Sequence, residues 1–147
     1  MRFISSLLAC CLVEVIVACH VDTTTDYSVV QHSFNATIDH YSFQNTDRKF
    51  ALRYFVNDEH WNSSSGPIFF YAGNEAPIEQ FIRNSGFMFE IAPAFNAMVV
   101  FCEHRYYGES FPDISNLSYL TVEQAMADFN TLTLHMRKKW RIPNKSA

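Results

Sequence analysis

The chain has 147 residues, 48% of them apolar and 16% aromatic, which suits a packed core and excludes a disordered segment. Its formal net charge is −4 and no long run of one sign occurs, so nothing points to nucleic acid as a partner. The length allows one small domain or part of a larger one.

Residues 1–19 read as a secretory signal peptide. Arg2 supplies the positive start, Ile4 to Val17 is mostly apolar, and Val17-Ala18-Cys19 offers small residues near a cut. The stretch is short of the roughly 20 apolar residues that span a bilayer. Glu14 inside it argues further against a stable membrane anchor. Cleavage removes Cys10 and Cys11, and Cys19 with them if the cut follows it. Cys102 then remains, reading as an inert buried thiol within an apolar strand. Secretory routing has separate support, because Asn35, Asn62, Asn116 and Asn144 each begin an Asn-x-Ser/Thr glycosylation acceptor.

Residues 20–33 are polar and threonine-rich at their start and predict an extended lead-in. Phe34 to Asp39 predicts a weak strand and Phe50 to Val56 a stronger one. Phe50, Leu52, Tyr54 and Val56 fall on one face of the latter, and Ala51, Arg53 and Phe55 on the other. Gln44-Asn45-Thr46-Asp47 supplies the turn of this antiparallel edge pair. His40 and His60 lie near strand ends without metal-ligand spacing, so surface or hydrogen-bonded roles are expected.

After a break at Asn62 to Pro67, Ile68 to Ala72 and Ala97 to Cys102 are short, continuously apolar runs. That is the pattern of parallel strands covered on both faces. Gly73 ends the first, where glycine permits a positive φ and a sharp exit from the sheet. A helical stretch begins at Pro77, is interrupted at Gly86, and resumes through Phe87, Met88, Ile91 and Phe95, with Pro93 expected to shorten or kink it. Phe111 to Tyr119 reads as a loop. Thr121-Val122-Glu123-Gln124 is a capping box opening a last helix. Val122, Ala125, Met126, Phe129, Leu132, Met136 and Trp140 form its buried face, and Arg137, Lys138 and Lys139 suit its carboxyl end. The fold class is therefore α/β: an antiparallel pair, then parallel β-α-β-α.

Ligands of parallel sheets sit at the carboxyl ends of the strands, here Gly73-Asn74-Glu75 and Glu103-His104-Arg105. A nucleophile elbow needs Gly-x-Ser-x-Gly at a strand-to-helix turn. Gly108-Glu109-Ser110-Phe111-Pro112 has proline in place of the second glycine and no helix directly after it, so it is rejected. No metal or phosphate motif appears, and no cofactor is expected. Gly73, Asn74 and Glu75 read either as an ordinary strand-ending turn or as backbone donors to an oxyanion. Glu103 and Arg105 are costly there unless paired, and are expected to bridge and pin the following loop. His104 has no assignable carboxylate or nucleophile, so scaffolding is the expectation.

Tyr71 to Glu75, Asn84 to Met88, Glu103 to Ser110 and Leu120 to Phe129, together with Ile38 to Tyr41, closely resemble one family. It is the serine exopeptidases that include lysosomal Pro-X carboxypeptidase and dipeptidyl peptidase II. The resemblance covers nearly all of the chain after the leader, and the Glu-His-Arg-Tyr-Tyr-Gly-Glu-Ser block is its most specific part. It implies that residues 34–147 are the N-terminal part of an α/β-hydrolase core, with the cap domain and the Ser-Asp-His triad lying beyond Ala147. It further implies a secreted or lysosomal glycoprotein acting on a peptide substrate next to proline or alanine, and a possible homodimer in full-length form. In such an enzyme Gly73 to Glu75 would face the oxyanion, while Glu103, His104, Arg105 and Tyr106 would support the pocket floor. The 147 residues alone would be inactive, and Ile68 to Ala72 would have an empty side. A secreted non-catalytic isoform acting as a binder or decoy is the alternative.

Overall fold

The structure, a computed structural model, describes residues 27–42 and 48–141. The leader, the turn at 44–47 and Asn144 lie outside the described residues. Four strands and three helices follow in the order β1 (Val30–Thr37), β2 (Lys49–Asn57), β3 (Ile68–Ala72), α1 (Ile78–Asn84), α2 (Gly86–Phe95), β4 (Met98–Cys102) and α3 (Val122–Lys139). A short 3-10 turn, Leu117–Tyr119, precedes α3. β1 begins at Val30, so the end of the expected lead-in is strand; its residues pair antiparallel with β2 from Val30↔Val56 to Thr37↔Lys49.

The sheet order is β1-β2-β4-β3. β2 and β4 are antiparallel, whereas β3 and β4 are parallel with α1 and α2 forming the crossover. The period-2 alternation of β2 sends Phe50, Leu52, Tyr54 and Val56 to one face. There they meet Met98, Val100 and Cys102 under Ala125, Phe129, Leu132 and Met136 of α3. Phe55, Val99 and Phe101 point the other way, against Ile78, Ile82 and Ala92 of α1 and α2. β4 is consequently buried at every residue. β3 is not: it forms a sheet edge, its first four residues are half-buried and Ala72 is exposed. An apolar run here marks an edge next to a covered strand, not coverage on both faces.

Pro93 does not break α2, which continues to Phe95. The helix stops at Asn96, whose left-handed φ of 52° lets its N–H reach the carbonyls of Ala92 and Pro93. In α3 the expected buried face is corrected at its start, because Val122 and Met126 are 73% and 58% exposed. Met126 lines an open groove beside Phe70 and Ala72 of β3. Gln124 and Asp128 are buried instead. Thr121 Oγ1 accepts the Gln124 N–H at 3.3 Å, but the capping box is only half made. The Gln124 side chain turns away to accept from the His40 N–H at 2.9 Å and to donate to Asp39 Oδ1 at 2.7 Å.

Candidate functional site at the carboxyl ends of β3 and β4

Gly73 is held by close approach, not by a positive φ; the only glycine with positive φ among the described residues is Gly108. Its N–H donates to Cys102 O at 2.8 Å. A Cβ on Gly73 would lie 2.3 Å from that oxygen and 2.9 Å from the His104 nitrogen, which no side chain tolerates. One residue on, Asn74 Oδ1 accepts the Glu75 N–H at 2.8 Å, and Asn74 O accepts the Ala76 N–H at 2.7 Å. The Asn74 N–H donates to nothing among the described residues. Of the three backbone donors read from the sequence, one is therefore open, and both Asn74 and Glu75 are exposed.

Glu103 and Arg105 do not bridge to one another. Glu103 is fully buried and its carboxylate collects donors from three segments. Arg53 donates twice, at 2.6 Å to Oε1 and 3.2 Å to Oε2. The Ile78 N–H at the start of α1 reaches Oε1 at 3.2 Å, and the Glu109 N–H and Ser110 hydroxyl reach Oε2 at 3.0 and 2.7 Å. Burial alone would raise the Glu103 carboxyl pKa, but the donors from Arg53, Ser110, Glu109 and Ile78 outweigh it and hold the group below its ordinary value. Gly108, at φ 57°, wraps the loop so closely that any Cβ there would run into the same carboxylate. Arg53 is shared with Glu79 of α1, at 2.7 Å.

Arg105, also fully buried, uses all its N–H groups on the opposite face of the sheet. Nε and Nη2 grip Asp128 at 2.7 and 2.8 Å, Nη1 donates to Ile38 O and Tyr119 O, and Nη2 also donates to Thr37 O. His40 Nε2 meets Asp128 Oδ1 at 2.7 Å, giving that histidine the hydrogen-bonded role expected of it. His104 lies between the two clamps, half-buried, with Nδ1 2.7 Å from Arg105 O and its ring edge-on to Tyr107 and Phe129. No carboxylate contacts it among the described residues. Tyr106 takes a φ of 69°, and its buried hydroxyl donates to Asn116 O at 2.5 Å. Ser110 is buried, with its oxygen accepting the Arg53 N–H at 2.9 Å while donating to Glu103, so it is structural and unavailable as a nucleophile. Burial pushes the Cys102 thiol well above its ordinary value, in keeping with an inert side chain.

The partners Arg53, Asp128, His40 and Gln124 were missed as site residues. One signal was available: Asp128 sits among Ala125, Phe129 and Leu132, on the apolar stripe of α3, where a charge needs a buried partner. Beside the open edge of β3, Phe70 and Ala72 face Met126, Phe129, Asn130 and Thr133 across a groove of about 340 Å³. Asn35 is exposed on β1, Asn62 is exposed in the β2–β3 connection, and Asn116 is half-buried ahead of the 3-10 turn. Among the described residues no helix is long and apolar enough to cross a membrane. There too, no group of three or more His, Cys, Asp or Glu residues could hold a metal ion.

The family model for serine carboxypeptidase S28 matches residues 36–147. Mouse lysosomal Pro-X carboxypeptidase is 46% identical over 119 residues, covering 76% of this chain and 24% of the relative. The human protein of that name is 45% identical over 120 residues, covering 77% and 24%. Prolyl carboxy peptidase like protein 5 of Caenorhabditis elegans is 46% identical over 110 residues, covering 70% and 21%. The chain thus spans about a quarter of the length of the curated relatives it matches. Its mixed α/β sheet is compatible with part of an α/β-hydrolase core, and the match over residues 36–147 shows that the chain belongs to the serine carboxypeptidase S28 family.

Proposed function

We propose that this chain builds the oxyanion side and the floor of the active site of a secretory or lysosomal serine exopeptidase that cuts peptides next to proline. The observation that carries this reading is the open Asn74 N–H at the carboxyl end of β3, in a turn whose neighbouring N–H groups are all engaged. A tetrahedral acyl-transfer intermediate needs a donor already aimed and not spent on internal bonds. Gly73, wedged against β4, fixes where that donor stands, and the Glu103 and Arg105 clamps hold the adjoining loop. The nucleophile and its base come from outside these residues, since Ser110 is engaged and His104 faces no carboxylate. On this reading the described residues by themselves have no route to an acyl-enzyme. The names of the relatives supply the substrate class, a peptide with proline beside the scissile bond.

The test is a chimera in which residues 36–141 replace the matching segment of the mouse relative. The expected result is release of the residue following proline. Asn74→Pro, which removes the N–H, should lower kcat by about 100- to 1,000-fold with little change in KM. Asn74→Ala keeps the N–H and should stay near the parent. A folded chimera without turnover, or equal effects of the two substitutions, would sink the reading; turnover by the 147-residue chain alone would contradict its second half.

A further inference from the structure

We infer that Asn62 is an acceptor site for an N-linked glycan, an assignment that rests on the secretory reading above. Three sequons lie among the described residues, and their folded settings differ. Asn35 lies in mid-strand opposite Ala51, with its backbone extended in the β1–β2 ladder. Asn116 is half-buried, its carbonyl takes the Tyr106 hydroxyl, and its Oδ1 caps the 3-10 turn through the Ser118 N–H at 2.9 Å. Asn62 alone stands in a run of exposed residues, Asn62 to Ser65, on a tight turn.

That turn is rigid in its backbone and free at the amide that matters. The Asn62 N–H donates to Asn96 O at 3.0 Å, and its carbonyl accepts from Ser65 and Gly66 at 3.2 and 2.7 Å. Asn62 Oδ1 accepts the Ser64 N–H at 2.9 Å, so the sequon folds back on itself through its own acceptor side chain. This bend brings the third residue of the sequon, Ser64, beside the amide. Nδ2 has no partner among the described residues, on a side chain that is exposed.

The position also leaves the candidate site clear. Asn62 is tied to Asn96 just before β4, at the amino ends of β3 and β4, whereas Asn74, Glu103 and Arg105 lie at their carboxyl ends. A bulky, hydrated glycan at the amino end keeps that surface in solvent without crossing the mouth of the site. In the transfer, Asn62 Nδ2 bonds to the anomeric carbon of an oligosaccharide carried on a lipid pyrophosphate. The bond from that carbon to the pyrophosphate oxygen breaks, the lipid pyrophosphate leaves, and the proton lost from Nδ2 passes to a base of the transferring enzyme.

The full chain is expressed in animal cells behind a heterologous cleaved leader, so that entry to the secretory pathway does not depend on residues 1–19. Enzymatic deglycosylation in heavy-oxygen water then marks each occupied asparagine as a labelled aspartate, read by mass spectrometry. Labelled residue 62 is expected, with Asn62→Gln and Ser64→Ala each losing one glycan's mass and Ser64→Thr retaining it. Unlabelled residue 62 in a chain whose leader has been cut overturns the assignment, whatever happens at Asn35 and Asn116. A parallel expression with the chain's own first 19 residues reports on the routing alone. Failure there beside success in the first arm overturns the secretory reading and leaves the acceptor site standing.

Discussion

Glu103 and Arg105 are two residues apart and anchor to opposite faces of the sheet, Glu103 to Arg53 of β2 at 2.6 Å and Arg105 to Asp128 of α3 at 2.7 Å. The chain leaving β4 is therefore gripped from both sides, with His104 between the grips and Gly73 packed against its backbone. This double clamp sets the geometry of the turn that carries Asn74.

Arg53→Met should destabilise the fold by about 3–5 kcal/mol, because it leaves the buried Glu103 carboxylate without its cation. Chemical denaturation of the variant beside the parent measures this. An effect below about 1 kcal/mol would mean that the backbone and Ser110 donors suffice.

Acid should loosen the same clamp. The folded-state pKa of Glu103 lies below the ordinary 4.5, so its stabilisation is complete above that value and is lost as pH falls through the lower folded-state pKa. The denaturation midpoint should fall with pH in that acidic window, and Glu103→Gln should show a lower midpoint with a flatter acid branch. An unchanged slope in Glu103→Gln would move the linkage to other carboxylates.

Hydrogen exchange should separate neighbouring amides. Gly73, bonded to Cys102, is expected to be protected, and Asn74 to exchange near the rate of an open amide. Gly73→Ala should cost at least about 1–3 kcal/mol through its clash with the end of β4. A neutral Gly73→Ala would show that β4 can yield there.

Thr121→Ala removes one cap bond and should cost about 1 kcal/mol. Gln124→Ala removes instead the link from α3 to Asp39 and His40. It should expose the amides of residues 39–41 to exchange without fraying the start of α3, a separation that exchange mapping reads directly.

Much of the architecture was legible from pattern alone. The alternation of Phe50, Leu52, Tyr54 and Val56 told both the strand and its inward face, since period 2 is a local property of extended backbone. The heptad-like spacing of Phe129, Leu132 and Met136 marked α3 in the same way. Gly73 was singled out correctly for the wrong reason: sequence shows that a glycine stands there, but only packing shows that Cys102 O occupies the place of a side chain.

The residues themselves determined the α/β class, the strand-ending turn at Gly73 and the charged block after β4, because these rest on local periodicity, turn chemistry and family motif. Only the tertiary structure decided which charges pair, that Gln124 docks residues 39 and 40, that Ser110 is structural, and that Asn74 keeps the one open N–H of the Gly73–Ala76 turn. The physical reason is distance along the chain. Arg53 meets Glu103 and Thr37 O meets Arg105 across separations of 50 and 68 residues, and partners so far apart leave no period or spacing in the sequence.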